Sequence, residues 1–281
     1  MNKTTGKLSI VATPIGNPGD MVPRAVEILQ SVDVVAAEDT RRAGQLFQNF
    51  DINTPLRSYH DHNELAQSEK LLQELQQGMH IALISDAGMP LISDPGYRVV
   101  SQAREHGIEV SVIPGPCAAI VALAGSGLPS DKFVFAGFPP SKAGARRQFF
   151  GQHSTCADTQ IFYESSHRIL ASLKDMAEIF GGSRRICVAR ELTKTFETWM
   201  SGEISGVIER VESDPNQQKG EFVIVMAGAD VNSSLNPAES DIAKYMAALM
   251  QELPIKKAAA LTADLLGLRK KECYEIGLKL K

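Results

Sequence analysis

The stretch "HIALISDAGMPLISDPG", His80 to Gly96, combines a β-strand pattern with two acidic glycine turns. Its first residues are mostly apolar and predict a buried strand, which ends at Asp86 before Gly88. Three other segments predict strands that end on polar or turn-forming residues: "LSIVAT" (Leu8–Thr13), "VDVVAAED" (Val32–Asp39) and "EVSVIPG" (Glu109–Gly115). Helical patterns separate these strands, which predicts a parallel sheet covered on both faces, with ligands at the carboxyl ends of its strands.

The pattern changes after residue 117. Predicted strands then follow one another with few helices between them, so we expect a mixed sheet with antiparallel pairs. The fold class is therefore α/β, with two αβα-type domains at 1–117 and 118–230, a linker at 231–239 and a helical tail at 240–281. The tail patterns predict two short helices joined at Gly267, the outline of a helix-turn-helix.

Composition narrows the functional class. The 281 residues carry a net charge of -4, but residues 254–281 hold seven Lys and Arg against three Asp and Glu, a net charge of +4. The longest apolar runs are shorter than the ~20 residues of a membrane span, so we expect no membrane-spanning segment. We also expect no signal peptide. The four cysteines lie far apart, which argues against a zinc site or disulfide framework and favours a cytoplasmic protein.

The acidic turns after residue 84 favour a ligand without phosphate. The chain lacks both the triphosphate-loop pattern and the dinucleotide fingerprint. Since no cation stands nearby in the sequence, Asp86 and Asp94 suit a ligand that is positive or rich in hydroxyls, such as S-adenosylmethionine. In the alternative, the two carboxylates cap turns or helices, with Asp94 as the cap of the next helix, and Gly88 only satisfies backbone geometry.

Other segments carry similar alternatives. In "PGPCAAI", Pro114–Ile120, the small residues either let a flat ligand lie against backbone or serve close packing, and Cys117 is expected to be a buried small hydrophobe. In "AAEDTRR", Ala36–Arg42, the charges either face a ligand or pair in a helix start. The spacing in "HDHNE" matches no standard zinc motif, so we expect substrate contact by His60 or His62 and no metal.

The segment "FPPSKAGARRQFF", Phe138–Phe150, is basic and flanked by aromatic residues. It predicts a charged loop that suits an RNA strand with bases stacking nearby, or that is simply solvated.

The order of these segments resembles one family. The segments "IVATPIGNPGD", "AAEDTRR", "SYHDHNE", "ISDAGMPLISDPGY", "PGPCAAIVAL", "FYESSHRI", "ARELTKTFE" and "KGEFVIV" resemble the bacterial 16S ribosomal RNA cytidine 2′-O-methyltransferases, class III enzymes of the tetrapyrrole methylase superfamily. The resemblance covers nearly the whole chain. It departs from the family pattern at Met89, where threonine is usual, and at Pro18, where leucine is usual.

The resemblance implies a function, a cofactor and partners. S-adenosylmethionine would lie in a cleft between the two domains, and the product would be a 2′-O-methylated cytidine in the decoding centre. The expected partners are 16S ribosomal RNA or the small ribosomal subunit and a second copy of the chain, in a homodimer. Two other functions stay open: a methyltransferase for a small tetrapyrrole-like substrate, and a non-enzymatic regulator that binds nucleic acid.

The resemblance also implies site residues. The expected cofactor contacts are Pro14, Asp86, Gly88, Met89, Pro90, Gly115, Pro116, Cys117, Ala118, Ala119, Tyr163, Leu192, Thr193 and Gly220. From their expected place near the cleft, the candidates for proton removal are Glu38, Asp39 and His60, and Lys194 or Arg41 is the candidate for stabilising the developing oxyanion. The candidate RNA contacts are Arg41, Arg42, Lys142, Arg146, Arg147, Lys256, Lys257, Arg269, Lys270 and Lys271.

Overall fold

The first part of the chain forms a parallel sheet. In the computed structural model, which describes residues 6–229 and 239–280, the strands of this sheet are β1 (Lys7–Val11), β2 (Val34–Ala37), β3 (Leu56–Ser58), β4 (His80–Ile84) and β5 (Glu109–Ile113). Their order is β3-β2-β4-β1-β5, and every neighbouring pair is parallel. The predicted parallel sheet is confirmed. Strand β3 had no predicted counterpart, because a three-residue strand is too short to show an alternating pattern.

Helices cover both faces of this sheet. They are α1 (Pro23–Ser31), α2 (Thr40–Gln48), α3 (Glu64–Gln76) and α4 (Tyr97–Glu105). Strand β4 sends Ile81 and Leu83 into a core with α3 and α4, and sends Ala82 and Ile84 into a core with α1 and α2. A strand segment buried on both faces has to be apolar at every position, which explains the apolar run at residues 81–84.

The second sheet is mixed. The elements that build it and cover it are α5 (Ala118–Gly125), β6 (Phe133–Gly137), α6 (Ala143–His153), β7 (Thr159–Ser165), α7 (Ile169–Phe180), β8 (Arg185–Arg190), β9 (Thr198–Glu203), α8 (Ile204–Ser213) and β10 (Glu221–Met226). The strand order is β6-β7-β10-β8-β9, in which β6 and β7 are parallel and the other pairs are antiparallel. The predicted mixed sheet is confirmed.

Helix α6 corrects one prediction. The basic segment after Phe138 was expected to be a loop, but residues Ala143–His153 are helical. The side chain of Phe150 is fully buried in the core of the second sheet, and Arg146 forms an ion pair with Asp175 of α7. Packing against α7 therefore stabilises a helix whose own sequence has a weak amphipathic pattern.

The tail is a small helical unit with its own core. Its helices are α9 (Glu239–Leu249), α10 (Ile255–Leu266) and α11 (Lys270–Lys279). Gly267 ends α10 in the left-handed conformation, φ +66°, which confirms the predicted junction between two short helices. The predicted linker at 231–239 lies outside the described residues except for its last position. Nowhere in 6–229 or 239–280 is a helix long and apolar enough to cross a membrane.

Candidate active site

A cavity of about 490 Å³ lies where the loops of the first sheet meet the second sheet. The loops after β1, β2 and β4 and the turn before α5 line one side of it, and residues of β7, β8 and β10 line the other. The carboxyl ends of parallel strands meet at one edge of a sheet, so the polar strand ends singled out in the sequence converge here.

Asp86 connects two of the loops that line the cavity. Its Oδ1 accepts a hydrogen bond from the backbone N–H of Asp39 at 2.9 Å, and its Oδ2 lies 3.0 Å from Nη1 of Arg42. Both partners follow β2. Asp86 therefore accepts a hydrogen bond from a backbone N–H, which is the capping role that the sequence suggested. It also lines the cavity, which is compatible with the ligand-binding role.

Gly88 lies where the loops after β1 and β4 pair. Its backbone exchanges two hydrogen bonds with that of Thr13, of 2.9 and 3.1 Å. Its φ is +86°, and a Cβ at this position would come within 3.1 Å of Ile15. Conformation and close approach both require glycine here. The next residue, Met89, lines the cavity and packs its partly buried side chain against the core under α3 and α4, which no hydroxyl would do.

The loop from Leu91 to Gly96 is strained. Leu91 and Ser93 have φ of +73° and +66°, the left-handed region that side chains with a Cβ disfavour by about 1–2 kcal/mol per residue. This backbone places Ser93 and Asp94 on the cavity. Strain of this kind clusters at ligand-binding sites. The prediction that Asp94 caps the next helix is wrong, because the N-cap of α4 is Gly96, without a side-chain cap.

Carboxylates concentrate on this side of the cavity. Burial, the charge of Glu38 and then that of Asp86 raise the pKa of Asp94 from 3.8 to about 7, although a hydrogen bond from Ser85 acts in the opposite direction. Burial and the charge of Asp86 likewise raise the pKa of Glu38. A group of carboxylates with Arg42 as the neighbouring cation favours a positively charged ligand.

The opposite wall centres on Tyr163 of β7. Its Oη accepts a hydrogen bond from the backbone N–H of Ala119 at 3.1 Å, which ties β7 to the start of α5. Burial raises the pKa of Tyr163, so its hydroxyl stays neutral at physiological pH. Its ring meets those of Phe135 and Phe138 edge-on, with centroids 4.9 and 5.4 Å apart.

The loop after β8 contributes Leu192 to the lining of the cavity. Glu191 and Thr193 have φ of +52° and +65°. A Cβ on Gly16 would lie 2.9 Å from Oγ1 of Thr193 and 2.4 Å from Cγ of Lys194, so the loop after β1 packs directly on this loop. The Thr193 hydroxyl is buried and has no hydrogen-bond partner within the described residues.

The predicted cofactor contacts divide into two groups. Those that line the cavity are Asp86, Gly88, Met89, Cys117, Ala118, Tyr163, Leu192 and Gly220. Those that stand outside its lining are Pro14, Pro90, Gly115, Pro116, Ala119 and Thr193. Gly115 has a packing reason, because a Cβ there would lie 2.8 Å from Cβ of Ala12.

The catalytic candidates also separate. Glu38 lines the cavity, whereas Asp39, His60 and Lys194 do not. The side chain of Asp39 caps α2 and pairs with Arg41 at 2.7 Å, and these hydrogen bonds hold the pKa of its carboxyl well below the usual range. Burial alone would lower the pKa of Lys194, but its hydrogen bonds to Glu191 and Glu221, both of 2.8 Å, raise it.

One RNA candidate is corrected. The side chain of Arg146 is only 6% exposed and lies 2.6 Å from the carboxylate of Asp175, so it stabilises the α6–α7 contact and cannot reach an RNA phosphate. The other candidates reach the surface: Arg41, Arg42, Lys142, Arg147, Lys256, Lys257, Arg269, Lys270 and Lys271.

The structure adds residues that the sequence did not single out. Those that line the cavity include Ile15, Ile92, Phe138, Glu164, Ser165, Ser166 and Glu221. Several stand inside quoted segments, such as "FYESSHRI" and "KGEFVIV", but nothing in the local pattern marks which side chain faces a cavity. In the part of the chain that the structure describes, no His, Cys, Asp and Glu side chains cluster as a metal site.

Comparison with protein families decides where the chain belongs. The profile of Tetrapyrrole (Corrin/Porphyrin) Methylases matches residues 7–208, a span that holds most of both sheets. The chain belongs to this methylase family. A second profile, the RsmI C-terminal HTH domain, matches residues 236–281, the tail of the methylase.

The methylase also has relatives that align over nearly its whole length. The ribosomal RNA small subunit methyltransferase I of Escherichia coli O157:H7 is 48% identical over 99% of this chain and 96% of its own. The proteins of that name from Pseudomonas aeruginosa and Synechocystis sp. are 48% and 44% identical, each over 98% of this chain and at least 98% of their own.

Solved structures share the fold. The uroporphyrin-III-C-methyltransferase of Thermus thermophilus superposes with a TM-score of 0.57 at 20% identity, over 79% of this chain and 94% of its own. A diphthine synthase superposes with a TM-score of 0.57 at 11% identity, over 79% and 89%. The methylase therefore has the architecture of these enzymes.

Proposed function

We propose that the methylase transfers the methyl group of S-adenosylmethionine to the ribose 2′ hydroxyl of a decoding-centre cytidine in 16S ribosomal RNA. The observation that carries this proposal is the likeness to proteins named ribosomal RNA small subunit methyltransferase I, at 48% identity over 99% of the chain. That alignment includes the helix-turn-helix tail, which is matched by its own profile at residues 236–281.

The chemistry of the cavity fits the cofactor. S-adenosylmethionine supplies a methyl group on a sulfonium centre, together with an ammonium group and ribose hydroxyls, and it has no phosphate. Glu38, Asp86 and Asp94 present carboxylate oxygens on one wall, and no lysine lines the described cavity. Carboxylates accept hydrogen bonds from ammonium and hydroxyl groups. At Gly88 the absence of a side chain leaves the backbone accessible beside them.

Glu38 is the candidate best placed to accept the proton of the ribose hydroxyl. It lines the cavity, and its raised pKa brings its basicity closer to what proton transfer at neutral pH requires. Asp39 is a weaker base because Arg41 holds its pKa down, and Lys194 stays protonated between two carboxylates. The cationic Lys194 pairs with Glu191 and Glu221 and so stabilises the loop after β8, which carries the cavity-lining residue Leu192.

Basic side chains outside the cavity supply contacts to the RNA backbone. Arg42 lines the cavity itself, Lys142 immediately precedes α6, and Arg147 lies within α6 with a side chain that is 42% exposed. The tail adds Lys256 and Lys257 on α10 and a basic run at the start of α11. Because local patches steer nucleic acid regardless of net charge, the overall charge of -4 does not oppose this role.

The proposal includes a homodimer in the cytoplasm, where ribosomal subunits are found. Strand β5 is an edge of the first sheet, and its Val112 is 52% exposed, so this edge offers an apolar side chain to a second copy. Light scattering over a range of concentrations tests this point. A mass of one chain at every concentration would contradict the dimer and leave the methyl transfer untouched.

Methyl transfer is tested with small ribosomal subunits that lack the modification. The subunits are incubated with the protein and S-adenosylmethionine, and the RNA is mapped by mass spectrometry. We expect one added methyl group on the ribose of one decoding-centre cytidine. A methyl group on a base, or on no RNA at all, would refute the proposal. Calorimetry with S-adenosylmethionine separates it from a non-enzymatic regulator, which would have no reason to bind the cofactor.

A further inference from the structure

Phe138 is an aromatic side chain in an unusual position. Three aromatic residues line the described cavity: Phe222 is 2% exposed, Tyr163 is half-buried with its hydroxyl engaged by α5, and Phe138 is 53% exposed. An exposed phenylalanine ring gains nothing from packing on its exposed side. On a cavity wall, it offers a flat apolar surface to whatever enters.

The backbone around Phe138 holds the ring in place. A bulge interrupts the β6–β7 pairing between Phe135 and Gly137, and Gly137 has a φ of +69°, so the chain turns sharply just before the ring. Pro139 and Pro140 follow directly and restrict the backbone on the other side. The ring itself contacts Tyr163 edge-on.

The ion pair between Arg168 and the buried Glu164 holds the loop that follows Phe138. Nη1 of Arg168 donates a hydrogen bond of 3.1 Å to the carbonyl of Pro139, and Nη2 lies 2.7 Å from the Glu164 carboxylate, whose side chain is fully buried. Glu164 also accepts hydrogen bonds from the backbone of Ser165 and the hydroxyl of Ser172. Because these contacts restrain the backbone that carries the ring, the loop loses little conformational entropy when the ring binds a partner.

The surroundings match a nucleotide better than a protein side chain. Lys142 stands a few residues further along the chain, just before α6, and Arg42 lines the cavity; Arg147 lies within α6 and is paired with Asp175 at 3.2 Å. Flat bases stack on aromatic rings in single-stranded nucleic acid sites, with cationic side chains along the backbone. Sequence-specific RNA sites splay unstacked bases onto aromatic side chains, so a ribose that enters the cavity would bring its base within reach of such a ring.

We propose that the exposed ring of Phe138 stacks on the base of the target nucleotide while the ribose of that nucleotide enters the cavity. The inference rests on the proposed function and extends it, because it names the surface that receives the base. Phe138 is then a substrate-binding residue, with Arg168 as the residue that positions its loop.

Three variants test the stacking. Phe138→Ala removes the ring, Phe138→Trp keeps a flat aromatic surface, and Phe133→Ala removes a comparably exposed ring at the start of β6, outside the cavity. Loss of one stacked base is expected to lower kcat/KM for small ribosomal subunits by roughly 5- to 150-fold in Phe138→Ala. We expect Phe138→Trp and Phe133→Ala to stay near the unaltered protein, and all variants to bind S-adenosylmethionine equally well by calorimetry.

Photocrosslinking gives a readout that does not depend on methyl transfer. With p-benzoylphenylalanine in place of Phe138, irradiation with small ribosomal subunits should yield crosslinks at or next to the methylated nucleotide. The same probe in place of Phe133 should yield none there.

Several results would overturn the inference. Equal kcat/KM values for Phe138→Ala and Phe133→Ala would show that the ring has no special role. A loss of affinity for S-adenosylmethionine in Phe138→Ala by the same factor as kcat/KM would show that the ring contacts the cofactor. Crosslinks remote from the target would also overturn the inference. Failure of the unaltered protein to methylate any RNA would overturn the proposed function as well, whereas normal activity in Phe138→Ala would overturn the stacking alone.

Discussion

Replacement of Asp94 by asparagine should stabilise the methylase at neutral and alkaline pH. The pKa of this carboxyl is about 7 in the folded protein against 3.8 for the ordinary group, because burial and the charges of Glu38 and Asp86 disfavour its ionised form. The folded state therefore holds the Asp94 proton more tightly than the unfolded chain does. The ionised carboxylate costs folding free energy that the neutral amide of Asp94→Asn does not.

The magnitude follows from the two pKa values. A rise from 3.8 to about 7 corresponds to ~4 kcal/mol at full conversion. Because the cavity opens to solvent, which screens the charges, we expect about half of this, ~2 kcal/mol. Below pH 3.8 the carboxyl is protonated in both states and the gain vanishes. It grows between pH 3.8 and about 7 and is complete above that range.

Urea unfolding at several values of pH, followed by circular dichroism, measures this gain. Asp131→Asn serves as the control, because Asp131 is an exposed carboxylate outside the cavity. We expect a higher urea midpoint for Asp94→Asn than for Asp131→Asn at pH 8, and equal midpoints near pH 4. A gain that is absent at pH 8, or that does not change with pH, would refute the reasoning.

Cofactor binding should move in the opposite direction. A neutral amide cannot attract a cationic ligand as a carboxylate does, so Asp94→Asn should bind S-adenosylmethionine about tenfold more weakly at pH 8, a loss of ~1.4 kcal/mol. In the unaltered protein the affinity should fall as the pH drops below about 7, where Asp94 becomes protonated. The stability cost of Asp94 would then be the consequence of a binding role.

The remaining predictions concern proton transfer, the buried ion pair and the RNA surface. Glu38→Gln should lower the single-turnover rate by ~10²–10⁴-fold, since the amide cannot accept a proton. Arg168→Met should lower the free energy of unfolding by about 3 kcal/mol because it leaves the Glu164 carboxylate buried without its partner; Arg168→Met with Glu164→Gln should recover most of that loss in urea unfolding. Lys256→Gln and Lys270→Gln should each reduce the slope of log affinity for RNA against log salt concentration by ~0.7–0.9.

Controls and contrary outcomes complete these three predictions. Asp39→Asn, next to Glu38, should lower the rate far less, and an equal loss in both variants would remove Glu38 from its role. A destabilisation in Arg168→Met that Glu164→Gln does not relieve would contradict the buried-charge explanation. Lys174→Gln, on the exposed side of α7, should leave the salt slope unchanged; a slope equally reduced there would mean that the tail lysines have no special part.

Much of the architecture was predictable because it depends on local patterns. The apolar runs before Asp86 and Glu38 encode strands that are buried on both faces, and the glycine turn after Asp86 encodes a loop. Gly267 marks the junction of the tail helices because the left-handed conformation there suits glycine. The order of the motifs was sufficient to predict the family, since a set of short segments spread over the chain is far more specific than any one of them.

Other features were decided by contacts between residues that are distant in the sequence. The sequence predicted Arg146 as a surface cation, but in the fold it is paired with Asp175 of helix α7. The sequence predicted Asp94 as a helix cap, but the left-handed backbone at Leu91 and Ser93 places it on the cavity. Likewise, nothing in "FAGFPP" distinguishes Phe138 from a core residue. Periodicity and turn chemistry are local, so the longer strands, the glycine turns and the family could be inferred from the residues alone. Which charges are paired and which rings face the cavity depends on packing between distant segments, so those features required the folded structure.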